Sequence, residues 1–267
     1  MHKRLIPLTL LAGVTAGLLR AFEWRLAWDS SLWLMKHYHI SSLLLIAFSV
    51  TVVSLLFLLL RSTPDSAFSP DFLWSKKLVW IEMPAVLLLW ASAILDIGKF
   101  IGAQKPDMPI SEISTLIFAL LSVFTGISVI ILSKTSAAGP PPREYGIYML
   151  APVFWACFWL LKNISSYAVN PEPLSFLYDM LGSIFTLLAL YSSASFFYFR
   201  TRGRRTVFYC AMSVFFSLIV LLGTGLHLAL WGTLPMSGTG WSDVCRSLFS
   251  ILHLVTLMRF CASSPVE

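Results

Sequence analysis

Four side chains able to do polar chemistry fall at spacings of three, four and three residues in the last apolar stretch of the chain: Asp243, Arg246, Ser250 and His253. That spacing lays them along one stripe of an α-helix. Such a stripe faces protein or water rather than lipid. Either it lines a cavity that reaches His253, or Asp243 and Arg246 pair, Ser250 bonds its own backbone and His253 donates to a neighbouring helix. Two carboxylates, Glu82 and Asp96, stand fourteen residues apart in an earlier apolar stretch. They share a helix face, but at 1.5 Å per residue they are about 21 Å apart. That distance excludes general acid–base work by the two together. An ionisable group inside a membrane costs at least roughly 2.5–3.5 kcal/mol to insert, so each of these groups needs a partner, a wet cavity or a route to the interface.

The elements that position these groups follow from composition. Of 267 residues, 57% are hydrophobic and only 12% charged, against roughly 25% charged in a soluble domain. The chain is an integral membrane protein, and disorder, nucleic-acid binding and a disulfide scaffold are excluded with the same numbers. A helix crosses the hydrocarbon layer in roughly 20 apolar residues. Stretches of about that length are predicted near 5–22, 40–60, 77–98, 111–133, 146–162, 174–199, 206–230 and 242–261. Clusters such as Ser62-Thr63-Pro64-Asp65, Ala138-Gly139-Pro140-Pro141-Pro142 and Asn170-Pro171-Glu172-Pro173 separate them, because Pro and Gly stop helices and charges resist burial. The expected fold is an all-α, polytopic transmembrane helix bundle, a single integral membrane domain over 1–267. It has eight spans, or seven if the first segment lies in the interface. Met1-His2-Lys3-Arg4 before an apolar run resembles a signal peptide, but Arg20, Glu23, Trp24 and Arg25 stand where a small-residue cleavage site belongs. The segment reads as a first span or signal anchor.

The nineteen Lys and Arg residues are topology signals before they are binding sites. With eight spans, twelve fall on the side of the two termini, among them Lys3, Arg4, Arg61, Lys76, Lys77, Arg200, Arg202, Arg204 and Arg205. The other seven, Arg20, Arg25, Lys36, Lys99, Lys105, Lys162 and Arg246, fall on the opposite side. The excess places both termini in the cytoplasm. Trp24, Trp28, Trp33, Trp231 and Trp241 fall at outer boundaries and Trp74 and Trp80 at the inner one, as an aromatic belt would. Trp24, Trp28, Leu32 and Met35 recur at helical spacing, so residues 23–40 form either a short interfacial helix or an extension of the adjoining spans.

On this topology Asp96, Tyr178, Asp179, His227, Asp243 and Arg246 share the outer third of the membrane, with His253 nearer its centre. Together they are the candidate ligand-binding residues of an outward-facing polar pocket. Asp179 has a structural reading too, since Pro171 and Pro173 start its helix and the helix dipole favours a carboxylate there. His227 and His253 lie at different depths, which argues against a shared haem. The chain lacks HExxH, GxSxG, Walker and CxxC patterns, so no catalytic residue, cofactor or metal is assigned. Cys157, Cys210, Cys245 and Cys261 sit in apolar segments and read as small hydrophobes. Gly13 and Gly17 are spaced for close helix packing.

The stretch from Pro152-Val-Phe-Trp155-Ala-Cys-Phe-Trp159 through Tyr178-Asp179 to Leu187-Leu-Ala-Leu190-Tyr191 and the arginine-rich turn resembles an uncharacterised polytopic membrane protein family of Gram-positive anaerobic bacteria, over residues 150–225. The resemblance implies a bacterial cytoplasmic membrane, gives weight to Trp155, Trp159, Tyr178 and Asp179, and adds no reaction. Two function classes follow. One is a small-molecule transporter or membrane substrate-binding component that takes a small polar ligand. The other is a non-catalytic membrane subunit or scaffold that packs against partner membrane proteins. An enzyme ranks below both, because no nucleophile and base can be placed together. The lipid bilayer is a partner under either reading, and nucleic acid under neither.

Overall fold

The computed structural model describes residues 4–29, 34–35, 39–63, 68, 77–102, 110–139, 143–167, 173–198, 203–231 and 240–261. They form eight helices: α1 (Leu5–Ala27), α2 (Ile40–Arg61), α3 (Lys77–Gly102), α4 (Ile110–Ala138), α5 (Leu150–Tyr167), α6 (Pro173–Ala194), α7 (Gly203–Trp231) and α8 (Trp241–Cys261). A 3-10 turn over Arg143–Met149 leads into α5, and another over Ser195–Tyr198 ends α6. Each of the eight is long and apolar enough to cross a bilayer. The chain is therefore a multi-pass membrane protein with the eight spans expected, and the seven-span alternative falls.

Local chemistry sets where helices start. Pro173 opens α6, where its missing N–H is one that a helix start leaves unpaired anyway. His39 caps α2 by accepting the Ser41 N–H at 3.3 Å, and Asp243 accepts the Gly240 N–H at 3.0 Å at the start of α8. Arg204 at the start of α7 donates to the carbonyls of Arg61 and Thr63 at 3.4 Å each, tying it to the end of α2.

Six helices close a ring in the order α7, α8, α3, α4, α5, α6, each packed on the next and α6 returning to α7. Outside the ring α1 lies along α7, and α2 lies on α1. Burial follows position: 72% of the most apolar window of α7 is buried but only 28% of that of α2, whose exposed Leu43, Leu44, Val50 and Leu58 suit lipid. The α1–α7 seam depends on glycine. A Cβ on Gly13 would stand 2.6 Å from a Leu218 methyl, and one on Gly17 would stand 2.7 Å from Leu222 Cβ. Backbones approach this closely only where small residues allow it.

Two expectations need correction. The first span does extend past Glu23, to Ala27, but Trp28–Asp29 then pairs antiparallel with Leu34–Met35, so no interfacial helix follows among the described residues; 30–33 and 36–38 lie outside them. Trp24 is not a belt residue; it is buried, with its ring 6.3 Å from His227. Trp80 and Trp241 are exposed as expected, and the side chains of Trp28, Trp33, Trp74 and Trp231 lie outside the described residues.

Candidate functional site

The seam between α3 and α8 carries two ion pairs. The two helices run in opposite directions, so Asp96 late in α3 meets Arg246 early in α8, and Glu82 early in α3 meets His253 late in α8. Fourteen residues separate the first pair of positions and seven the second, a mismatch of about 10 Å in rise. The long arginine side chain makes up much of it, because helical side chains lean toward their own N-terminus, here toward Asp96.

At the end of the bundle away from the termini, Arg246 forms ion pairs with Asp96 and Asp243. Arg246 and Asp96 are buried, at 0% and 1% exposure. Lys99 donates to Ser242 at 3.0 Å and lies 4.0 Å from the second oxygen of Asp96. The Arg246 guanidinium sits 4.5 Å over the Phe118 ring, and the Lys162 ammonium lies 5.4 Å from the same ring. Three cations, Lys99, Lys162 and Arg246, thus surround two carboxylates. Arg246 Nε and Asp96 Oδ1 have no hydrogen-bond partner among the described residues.

Beneath this group lies an aromatic layer. Phe118 stacks on Trp155 at 6.1 Å, Trp155 meets Phe249 edge-on at 5.3 Å, and Phe249 stacks on His253 at 5.5 Å. Trp155 is anchored by donating Nε1–H to Ser122 Oγ at 3.0 Å. Phe118, Trp155 and Phe249 are almost fully buried, so the centre of the ring is filled between the two ionic groups.

At the end nearer the termini, His253 Nδ1 lies 3.0 Å from Glu82 Oε2. The pair borders a cavity of about 60 Å³ lined also by Ser133, Ser136, Ser193 and Thr256, with Phe196, Phe197 and Phe260 as apolar walls. A water needs only about 10–15 Å³ of such space, so this cavity has room for several. Glu82 has no other partner among the described residues.

A third group is built on α1, α6 and α7. Arg20 pairs with Glu23, and its guanidinium lies 5.0 Å over Trp24 and 5.2 Å over Tyr178. Gly223 makes room for it, because a Cβ there would stand 2.9 Å from Arg20 Cβ.

The seven residues expected in one pocket are therefore divided. Asp96, Asp243 and Arg246 come together. Tyr178 and His227 border the Arg20 group, with Asp179 half-buried beside Tyr178 on α6. His253 stands apart with Glu82, next to a cavity at the opposite end from the one expected. Sequence reasoning set Glu82 aside and counted Arg20 as a loop charge. Both could have been found: Glu82 shares the Asp96 face, and Arg20 and Glu23 have ion-pair spacing on the face that carries Gly13 and Gly17. Cys210 and Cys261 are buried free thiols, and among the described residues no cluster of three His, Cys, Asp or Glu is placed to hold a metal. No family model matches the chain, and no curated protein or solved structure is similar to it, so the geometry of the α3–α8 seam carries the functional reading.

Proposed function

We propose that the protein is a carrier of small polar solutes that works by alternating access through the six-helix ring, here closed at the Asp96–Arg246 end and open toward the Glu82–His253 end. The observation that carries the reading is the placing of two ion-paired carboxylates at two depths of α3, one packed on an aromatic layer and one on its other side beside a cavity. Buried charge is costly in a membrane and marks solute and ion pathways when it borders water. A ring that merely scaffolds partners has no use for a carboxylate beside an internal cavity. The outward-facing pocket that the sequence suggests is then the second state of the same carrier, in which the Asp96–Arg246 contact has parted.

The test is accessibility from two sides. In a background with the four native cysteines replaced, Ser193→Cys lines the cavity and Ser250→Cys lies between the two ionic groups. A membrane-impermeant thiol reagent should label Ser193→Cys from the side of the termini. Adding Asp96→Asn should weaken that labelling severalfold and expose Ser250→Cys to the other side. Labelling that stays on one side in both backgrounds overturns the carrier reading.

A further inference from the structure

We infer that the cavity beside Glu82 binds one sodium ion, held by the Glu82 carboxylate and by hydroxyl oxygens from three further helices. The size of the space selects first. At about 60 Å³ it has room for a monatomic ion and a few waters of about 10–15 Å³ each, and falls well short of the roughly 150 Å³ of a cavity that takes benzene. Charge selects next. Glu82 is buried yet lines the cavity; His253 Nδ1 lies 3.0 Å from one of its oxygens, and the other has no partner among the described residues. A carboxylate oxygen left in that way inside a membrane calls for a cation or water. An anion would be repelled by it, and the phenylalanine walls offer no N–H or O–H donor in compensation.

The hydroxyls point to the same chemistry. Ser193 donates its hydrogen to the Leu190 carbonyl and Thr256 to the Leu252 carbonyl, each at 2.8 Å along its own helix. A hydroxyl has one hydrogen and two lone pairs, so what these two have left to offer the cavity is acceptor capacity. Ser133 and Ser136 on α4 add two more oxygens to the wall. Four hydroxyls, one carboxylate oxygen and a water make about six oxygens, a number at which a small hard cation is held. A single carboxylate matches a single positive charge, whereas calcium sites gain affinity from a higher ligand charge. K⁺, which channel filters strip of water with whole rings of carbonyls, finds too few oxygens here. Zinc takes nitrogen and sulfur ligands in threes and fours, and no such cluster stands among the described residues. The oxygens come from α3, α4, α6 and α8, so a bound ion ties four of the six ring helices at this end and favours the conformation in which they meet. The ion site stands on this geometry alone; its use as the coupling ion of transport rests on the carrier reading.

Equilibrium binding of radioactive Na⁺ to the detergent-solubilised full chain is the test, at fixed pH and with choline chloride holding the ionic strength constant. Saturable binding of a single ion per chain is expected, displaced by unlabelled Na⁺ and not by an equal concentration of K⁺. Glu82→Gln removes the anionic ligand and should weaken binding roughly tenfold or more. Thr256→Val keeps the side-chain shape and the Glu82–His253 pair while removing one oxygen; it should weaken binding severalfold, and it guards against a Glu82 variant that fails to fold. The absence of saturable sodium binding, displacement by K⁺ as strong as by Na⁺, or wild-type binding in either folded variant overturns the site and leaves the cavity to water. Thiol labelling that alternates without sodium binding removes the ion and leaves the carrier standing. Sodium binding with one-sided labelling supports the site and removes the carrier.

Discussion

Asp96–Arg246 and Glu82–His253 join the same two helices through the same kind of contact, a carboxylate on α3 against a basic side chain on α8. Their surroundings differ. The first is packed against Phe118 with additional charges from Asp243, Lys99 and Lys162 around it. The second has one partner and a cavity. Arginine stays charged at any ordinary pH and suits a contact that must be ionic or absent, whereas imidazole can give up its charge. Under the proposed carrier reading, the arginine pair lies at the closed end of the bundle and the histidine pair, beside the cavity, at the other.

The largest effect should come from the sealed pair. Arg246→Leu leaves Asp96 buried without its main counter-charge, and breaking a buried pair in this way costs about 3–5 kcal/mol. Equilibrium unfolding in mixed micelles should show that loss. Adding Asp96→Asn, which removes the stranded charge, should recover more than half of it. A loss under about 1 kcal/mol, the size for an exposed pair, would put Asp96 in water and erase the contrast between the two sites.

A smaller effect is expected at the open pair. His253→Gln removes the partner of Glu82, but the cavity has room for water to solvate the carboxylate, so the cost should fall near that of one lost hydrogen bond to a charged group, about 1.5–3 kcal/mol. If the same unfolding measurement gives a loss as large as for Arg246→Leu, the cavity is dry and the two sites are equivalent.

The contrast was half legible in the sequence. Span lengths and breaks follow from hydropathy and Pro–Gly chemistry, which are local, and α2 and α8 lie within a residue or two of their expected bounds. The polar stripe of α8 and the shared face of Glu82 and Asp96 were equally visible, because period and rise fix them. Which helix lies opposite which is a matter of tertiary packing. Depth alone could not separate Tyr178 and His227, which border the Arg20 group, from Arg246, which faces α3. Arg20 was misread for a related reason: a charge near a span end counts as a loop anchor unless its partner three residues on, Glu23, is recognised as going inside with it.

Ser250 gives the smallest and most discriminating change, because it lies on α8 between the two sites. One of its two sequence readings has it bond its own backbone; its hydroxyl is instead buried with no partner among the described residues. A dry hydroxyl in that state contributes nothing and retains its desolvation cost, so Ser250→Ala should change stability by less than about 0.5 kcal/mol, or raise it slightly. A loss above about 1 kcal/mol would mean that the hydroxyl is satisfied by something outside the chain, such as a water. The aromatic layer would then be wet on the α8 side, and sealed and open would describe two parts of one continuous path instead of two separate sites. The same unfolding measurement on this one variant decides whether Phe249 and Trp155 close the ring or only narrow it.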